Sequence, residues 1–559
     1  MQAQGPLRPR CALIRFCLTA ARRLHPCDGA CLRSGDAQRV EATADGRGRP
    51  FVLANVGDAP RPDAVDRRDR APRPSRGADP RQSTKSGDVG PTPPLPPAPP
   101  PGRRIRSVDA ASPPADACAP RNSRNAAHAP RPAAHDMRDA ARPARVAVLG
   151  AGIVGISAAV WLRRAGLEVA LIDREAPGAG ATYGNAGVLA ASAVVPVAAP
   201  GILAKTPRML LDPSSPLFLR WRRLPRLAPW LLRYLRGATP EGVDRCAAAL
   251  RPLLGDALAD HQALAAGTGA ERYVAPCDYL FLYRDRAAYA ADGFAWDVRR
   301  RFGYDWDVVE GPAVRNLDPV FAPSERFAVR LGGHGRITDP GAYAAALAAH
   351  VERAGARIIR AEAEDVVVED GAVRGVRLRA PDGAVETLPC DAALAATGAW
   401  SGGLLARLGL RLPLESERGY HIELWGPSAM PRAPTMIASA KAVATPMEGR
   451  LRVAGIVEYG GLDAPPSDGP RALLRRRVRE VFPGLTWREE REWMGHRPVL
   501  SDSIPAIGRV PGVRGAWVGV GHQHVGLTAG PATGRLLARM IAGERPNLDV
   551  APYDPARFA

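Results

Sequence analysis

The clearest pattern of apolar positions in this chain begins at Arg145. Arg145–Leu149 is a short β-branched run and predicts a buried strand. Three spaced glycines follow, then an apolar helical pattern that Gly166 ends from the C′ position. Residues 167–172 predict a second buried strand, closed by Asp173. Further along, residues 245–265 are Ala/Leu-rich and predict helix. Residues 272–334 alternate aromatic and polar groups and predict strands of a second region. Asp339 and Pro340 suit the start of a helix that Gly355 ends. Residues 357–360, 366–369 and 373–378 predict strands, with hairpin turns at Gly371 and Asp382-Gly383. Residues 391–401 predict a buried strand running into a turn at Thr397-Gly398. Residues 526–541 predict a helix whose first turns are small: Ala529, Gly530, Ala532 and Gly534.

Glycine spacing adds chemistry to the first unit. In Gly150-x-Gly152-x-x-Gly155, the first glycine permits a tight turn and the second lets a pyrophosphate approach the backbone. The third lets helix and strand pack closely. The cofactor candidates here are Gly150, Ala151, Gly152, Ile153, Val154 and Gly155, at a helix end with free N–H groups and positive dipole. Asp173 stands where a carboxylate accepts both ribose hydroxyls, with Arg174 beside it. Strand, glycines, helix, strand and acid in this order predict a dinucleotide-binding unit. Arg145 and Arg163 bracket an uncharged run near the lower length of a membrane span, but its glycines and strand pattern argue against one. Residues 174–187 form a loop of small residues, with Thr182 and Asn185 as hydrogen-bonding members and Ala186 and Gly187 closing it. The same loop also fits an ordinary flexible turn.

Composition divides the chain. Residues 1–136 hold 22 of the 56 prolines, 5 of the 8 cysteines, and 23 Lys+Arg against 13 Asp+Glu. Periodic apolar segments are nearly absent there, so this segment cannot offset its ordering entropy. Residues 1–140 are therefore read as a disordered extension. Three readings compete: a tail for an acidic partner, a targeting segment, or translation from an upstream start with the true start near Met137. The last is preferred. Cys11, Cys17, Cys27, Cys31 and Cys118 lack the paired spacing of a zinc site, and no metal site is expected. Cys246, Cys277 and Cys390 read as single thiols in a reducing cytoplasm. Residues 200–236 mix Arg, Trp, Leu and Pro. They fit either peripheral contact with the inner face of the cell membrane or an amphipathic helix on a core.

Four separated segments carry a family resemblance: the 150–173 unit, Ala181-Thr-Tyr-Gly-Asn-Ala-Gly187, Ala396-Thr-Gly-Ala-Trp-Ser401, and the stretches 493–508 and 521–534. Together they resemble the FAD-dependent D-amino acid oxidase superfamily, in particular bacterial D-amino acid dehydrogenases of the small-subunit type. The resemblance implies an α/β fold with a Rossmann-like FAD-binding domain (144–200, 336–412 and 490–559). Interleaved with it is an α+β substrate domain on an antiparallel or mixed sheet (201–335 and 413–489). It implies adenine contact near Val366 and cofactor contact at Thr397, Gly398, Gly521, Gly526, Leu527 and Thr528. The small first turns of the 526–541 helix would let a flat ring lie against its positive end.

For the substrate, the resemblance implies that Arg497 pairs with a carboxylate, as a planar guanidinium can. Tyr420 would donate its hydroxyl to the same carboxylate. His522 and His524 flank the cofactor loop and are candidates for flavin or substrate contact, or else bond backbone. Residues 494–498 lack the cysteine that tethers flavin in sarcosine-oxidase-like relatives, so FAD is expected to bind non-covalently. His496 stands where many relatives carry an apolar residue and is expected to bear on substrate preference.

The implied reaction is oxidation of a D-amino acid at its CH–NH bond by hydride transfer to flavin N5. It gives a 2-oxo acid and ammonia, with a quinone, another acceptor or oxygen taking the electrons. Alternatives within the fold are D-hydroxyproline, sarcosine, glycine or a 2-hydroxy acid as substrate, or a tRNA-modifying flavin oxidase. The isoelectric point near 10.3 invites a nucleic-acid partner. Yet half the excess charge lies in residues 1–136 and no RNA-binding module is recognisable, so none is expected.

Overall fold

The computed structural model describes residues 142–202 and 215–559. The expected extension 1–140, the preferred start at Met137, the five early cysteines and part of the 200–236 stretch lie outside them.

Val146, Ala147, Val148 and Leu149 are buried, as both faces of a central parallel strand require. Arg145–Leu149 lies between Glu168–Asp173 and Ala392–Ala395, parallel to both. The full six-stranded sheet runs Ala506–Arg509, Ala516–Val520, Ala392–Ala395, Arg145–Leu149, Glu168–Asp173, Arg357–Arg360. Only its outermost pair, Ala506–Arg509 with Ala516–Val520, is antiparallel. At the carboxyl end of the first strand the chain turns at Gly150 (φ +107°) into the helix Ile153–Arg164. The C-terminal helix Gly526–Ile541 packs on that helix. A Cβ at Gly530 would meet Ile153, and one at Gly534 would meet Ser157 and Ala158. These small residues make room for a helix crossing, which corrects the expectation that they make room for a flat ring.

A three-stranded antiparallel sheet, Val385–Pro389, Ala372–Arg379 and Glu362–Glu369, stands beside this core. Its first hairpin turns at Asp370 and Gly371, both with positive φ. The third sheet has ten strands. Its main path is Glu489–Leu500, Leu414–Trp425, Arg450–Tyr459, Ala442–Met447, Thr435–Ile437, Val274–Tyr283, Phe327–Ile337, Val188–Leu189. The long helix Asp468–Val481 covers one face of it through Leu473, Leu474 and Val478.

Sheet membership departs from the expected boundaries in two places. Val188–Leu189 and Glu489–Leu500 fall in segments expected to form the dinucleotide unit but pair within the large sheet. Conversely, the helices Pro240–Leu254 and Ala257–Ala265 share one core with the first helix and the C-terminal helix. Hydrophobic periodicity finds such elements, but it does not say which sheet they join.

The helix Leu224–Arg236 bears on the membrane expectation. Leu227, Trp230 and Tyr234 are buried on the protein. Trp230 donates from Nε1 to the Pro413 carbonyl at 2.9 Å and stacks on Tyr234 at 4.7 Å. The inner aromatic face is thus taken by the core, while Trp221 and Leu232 stay exposed. Among the described residues, no helix is long and apolar enough to cross a membrane.

Candidate active site

Beside the carboxyl ends of the parallel strands opens a cavity of about 1190 Å³ that reaches the large sheet. Its first wall is the glycine turn. A Cβ at Gly155 would collide with the Gly150 carbonyl oxygen, so only glycine lets the helix start this close to the strand. At Gly152 a Cβ would meet nothing nearer than Thr182 Oγ1 at 3.6 Å, so the space there faces the cavity. Several loop donors are already engaged. The Ala151 N–H donates to Asp173 Oδ2 at 2.6 Å, and the Ile153 N–H to Thr182 Oγ1 at 2.9 Å. The N–H groups of Gly152, Val154 and Gly155 have no partner among the described residues. Open donors at a helix start, joined by the positive dipole end, make an anion cradle. Thr182 is thus a cap for this helix, a role that its place in a small-residue loop did not announce.

The loop that carries Thr182 is fixed by a buried ion cluster. Arg452 is fully buried and donates to the carbonyls of Tyr183 and Asn185, the latter at 2.7 Å. Its guanidinium also pairs with Glu423, which Arg450 reaches at 2.9 Å. Burial alone would raise the Glu423 pKa, but the two arginines hold it below the ordinary carboxylate value. Asn185 spends its side chain on a local turn, with Oδ1 accepting from the Gly187 N–H at 2.8 Å. Nothing in the sequence pattern marked Glu423 and Arg452, because only strand pairing brings them together.

Where the large sheet meets the cavity, the strands Leu414–Trp425 and Glu489–Leu500 pair directly. Glu417 lies opposite Arg497, Gly419 opposite Gly495, and His421 opposite Trp493. Directly opposed residues share a face, so these six form one surface. The paired glycines leave a groove. A Cβ at Gly419 would meet the Arg497 guanidinium carbon at 2.5 Å, and one at Gly495 would collide with the Trp493 ring. Trp493 stacks on His421 at 5.2 Å, and His421 Nδ1 donates to the Gly184 carbonyl at 3.1 Å.

Arg497 lies in this groove. Its Nη1 donates to Glu417 Oε1 and to the Ile456 carbonyl, both at 3.0 Å, and its Nη2 to the Gly455 carbonyl at 3.3 Å. A guanidinium carries five N–H donors. The Nε–H and one Nη2–H therefore have no protein partner among the described residues. The two carbonyls are aimed by a bulge: the register slips between Arg418, opposite Glu458, and Tyr420, opposite Gly455. Ile456 consequently sits at φ +61°, a strained conformation for a β-branched residue. Burial raises the Glu417 pKa against the pull of Arg497.

Tyr420 also lines the cavity, but it has the opposite parity to Arg497 and its hydroxyl is engaged elsewhere: it donates to Glu458 and accepts from the Ser467 N–H at 3.0 Å. Its ring packs among Ile422, Leu473 and Leu474. The hydroxyl is therefore committed away from Arg497. His496 shares that parity; its Nδ1 bonds Ser416 Oγ at 2.8 Å and its ring meets Trp400 edge-on at 5.1 Å.

The two candidate histidines of the C-terminal loop differ. His522 is buried and bonds Thr533 Oγ1 from Nε2 at 3.0 Å. His524 has no hydrogen-bond partner among the described residues, and its ring is open to the cavity. Burial pushes both down to about 4, with the Arg497 charge adding to the effect at His524. Both imidazoles are neutral at pH 7.

The remaining candidates divide the same way. Asp173, Arg174, Ala186, Thr397 and Gly398 line the cavity, as do Gly526, Leu527 and Thr528 at the start of the C-terminal helix. Arg174 lies over the Trp400 ring at 4.3 Å. Gly187 and Gly521 are instead packed against Ile337 and Leu500. Val366 pairs with Val376 in the core of the three-stranded sheet, and the cavity is lined by residues 361–364 in its place. None of the described cysteines lines it.

A glycine-rich turn with open donors, an acid ending the second strand, and a cavity reaching a second sheet define a dinucleotide-binding oxidoreductase. Residues 145–540 match the family model described as "FAD dependent oxidoreductase". The chain belongs to this family, the DAO family of FAD-dependent oxidoreductases. It is 38% identical over 419 residues to the D-amino-acid oxidase of Bradyrhizobium diazoefficiens, covering 74% of this chain and 98% of that protein. It is 31% identical over 409 residues to the D-amino acid dehydrogenase of Dechloromonas aromatica, covering 71% and 97%. Among solved structures it resembles glycine oxidase from Geobacillus kaustophilus (TM-score 0.56, 24% identity, 74% of this chain and 99% of that one). The residues present fit FAD: the open cradle suits a pyrophosphate, Asp173 suits a ribose, and the cavity has room for a cofactor of this size.

Proposed function

We propose that this enzyme oxidises D-amino acids to 2-oxo acids and ammonia. The observation that carries the reading is Arg497: a guanidinium lying in a glycine groove, with two N–H donors unpaired, in the cavity that holds the cofactor cradle. That fork suits a carboxylate. The relatives named above, a D-amino-acid oxidase and a D-amino acid dehydrogenase, support the same substrate class.

Bound FAD supplies a two-electron acceptor for the hydride lost from the substrate Cα. The chain does the rest by positioning and electrostatics. Arg497 takes the carboxylate, and Glu417 with the Gly455 and Ile456 carbonyls holds the guanidinium in place. His524, neutral and open, accepts a hydrogen bond from the substrate amine. The positive end of the Gly526–Ile541 helix favours negative charge that develops beside it. The imino acid released hydrolyses to the 2-oxo acid and ammonia.

Oxygen or a quinone takes the electrons onward. Product analysis on the FAD-loaded protein tests the reading, with each amino acid supplied in air and then with a quinone dye. The expected outcome is one 2-oxo acid and one ammonia per D-amino acid consumed. Turnover of glycine or sarcosine alone would move the substrate class, and turnover of L-amino acids would overturn it.

A further inference from the structure

A second cation faces the same cavity, and nothing in the reading above uses it. Arg299, on the helix Gly293–Arg301, is only 9% exposed. A guanidinium buried to this degree ordinarily has a carboxylate partner. Among the described residues no carboxylate lies within ion-pair distance of Arg299. Asp292, whose charge acts on Arg299, is engaged by Lys441 Nζ and by the Tyr283 hydroxyl, each at 3.2 Å. Arg299 is held by neutral groups instead. Its Nε donates to the Ser192 carbonyl and its Nη1 to the Ala295 carbonyl, both at 3.2 Å. Its guanidinium lies over Trp296 at 4.6 Å and Phe281 at 5.1 Å.

These contacts fix the plane of the group and leave both Nη2 hydrogens without a protein partner. Arg299 lines the cavity, and so does Tyr279, whose hydroxyl has no hydrogen-bond partner among the described residues. Phe281 links the two: the Arg299 guanidinium lies 5.1 Å from its ring and the Tyr279 ring 5.0 Å from it. A fixed, buried cation without an ion-pair partner, sharing a cavity wall with an unengaged hydroxyl, makes an anion site.

We propose that Arg299 and Tyr279 form a second anion-binding pole of the cavity, which receives the distal carboxylate of an acidic amino acid while Arg497 receives the first. The inference rests on the substrate reading above and deepens it: the class becomes D-amino acids with a side-chain carboxylate. Two arginines at two places in one cavity then read two carboxylates of one molecule, and an uncharged side chain would leave Arg299 unpaired.

The test compares kcat/KM of the FAD-loaded enzyme for D-glutamate, D-aspartate and D-norvaline, in the parent and in Arg299→Met, Arg299→Lys and Tyr279→Phe. The expected result is that Arg299→Met lowers the D-glutamate to D-norvaline ratio by about tenfold or more, as loss of a charge-assisted hydrogen bond does. Arg299→Lys should recover part of the ratio, and Tyr279→Phe should lower it less. A ratio unmoved by Arg299→Met, or a parent that turns over D-norvaline but neither acidic substrate, overturns the proposal and leaves the substrate reading standing. If no D-amino acid is turned over, the substrate reading fails, and calorimetry on the FAD-loaded protein still tests the pole. Glutarate should then bind more tightly than pentanoate in the parent, with the gap closing in Arg299→Met; equal gaps in both proteins would sink it.

Discussion

The two walls of the cavity are built by different means. The cofactor wall is local: Gly150, Gly152, Gly155 and Asp173 fall within 24 consecutive residues, and one strand–turn–helix–strand unit places them all. The substrate wall is assembled from afar. Arg497 meets Glu417, 80 residues earlier, and the Ile456 carbonyl, 41 residues earlier. A local wall is fixed by backbone geometry, so a single added atom breaks it. An assembled wall is fixed by register, so the face a residue occupies matters more than its neighbours in sequence.

The largest effect should therefore come from the cofactor wall. Gly155→Val forces a side chain into the Gly150 carbonyl, and we expect the purified protein to carry no FAD absorbance. A yellow, folded Gly155→Val protein would show that the helix start can shift, and the local account would fail. Next is Arg497→Met, which should keep the yellow colour while kcat/KM for a D-amino acid falls by about a hundredfold or more, the cost of a lost buried charge pair. Colour lost together with activity would mean that Arg497 serves the cofactor wall as well.

Tyr420→Phe separates the two faces of one strand. Because its hydroxyl bonds Glu458 and Ser467 away from Arg497, we expect kcat/KM to stay within about threefold while stability falls by about 1–2 kcal/mol. Urea unfolding beside steady-state assays reads both, and a large rate loss at unchanged stability would put Tyr420 back at the substrate.

The smallest and most gradual effect is with pH. Burial pushes His261 and His522 down to about 4, and His421 to about 3. Unfolded, these groups take up protons near the usual 6.5, so the unfolded state binds more protons between 6.5 and 4. Their contribution is complete above 6.5 and is lost as pH falls toward 4. The thermal midpoint should drop progressively across that window, and less so in His522→Gln, whose side chain can still bond Thr533. A flat midpoint from pH 7 to 4.5 would contradict the neutral assignment.

What could be read from the sequence follows the same division. The glycine spacing and Asp173 need only local periodicity, and the structure places Gly150, Gly152 and Asp173 on the cavity with Gly155 packed against the Gly150 carbonyl. Arg497 was legible through its motif, but its holders Glu417, Gly455 and Ile456 were not, because strand register is a long-range fact. The commitment of the Tyr420 hydroxyl to Glu458 and Ser467 is hidden for the same reason. Once Arg497 is known to lie opposite Glu417, residue 420 has the opposite parity. Val366, the expected adenine contact, lies just past the strand segment that lines the cavity. Thr182 and the small residues 529–534 lay in the right segments, but their packing roles depend on which helix crosses which.

The most direct measurement is the visible spectrum of the FAD-loaded protein without oxygen, recorded before and after adding one enantiomer of an amino acid. The account predicts that the flavin band bleaches with the D-enantiomer and stays unchanged with the L-enantiomer, and that Arg497→Met slows the bleaching while retaining the band. A band that bleaches equally with both enantiomers, or with neither across acidic and neutral amino acids, would contradict it.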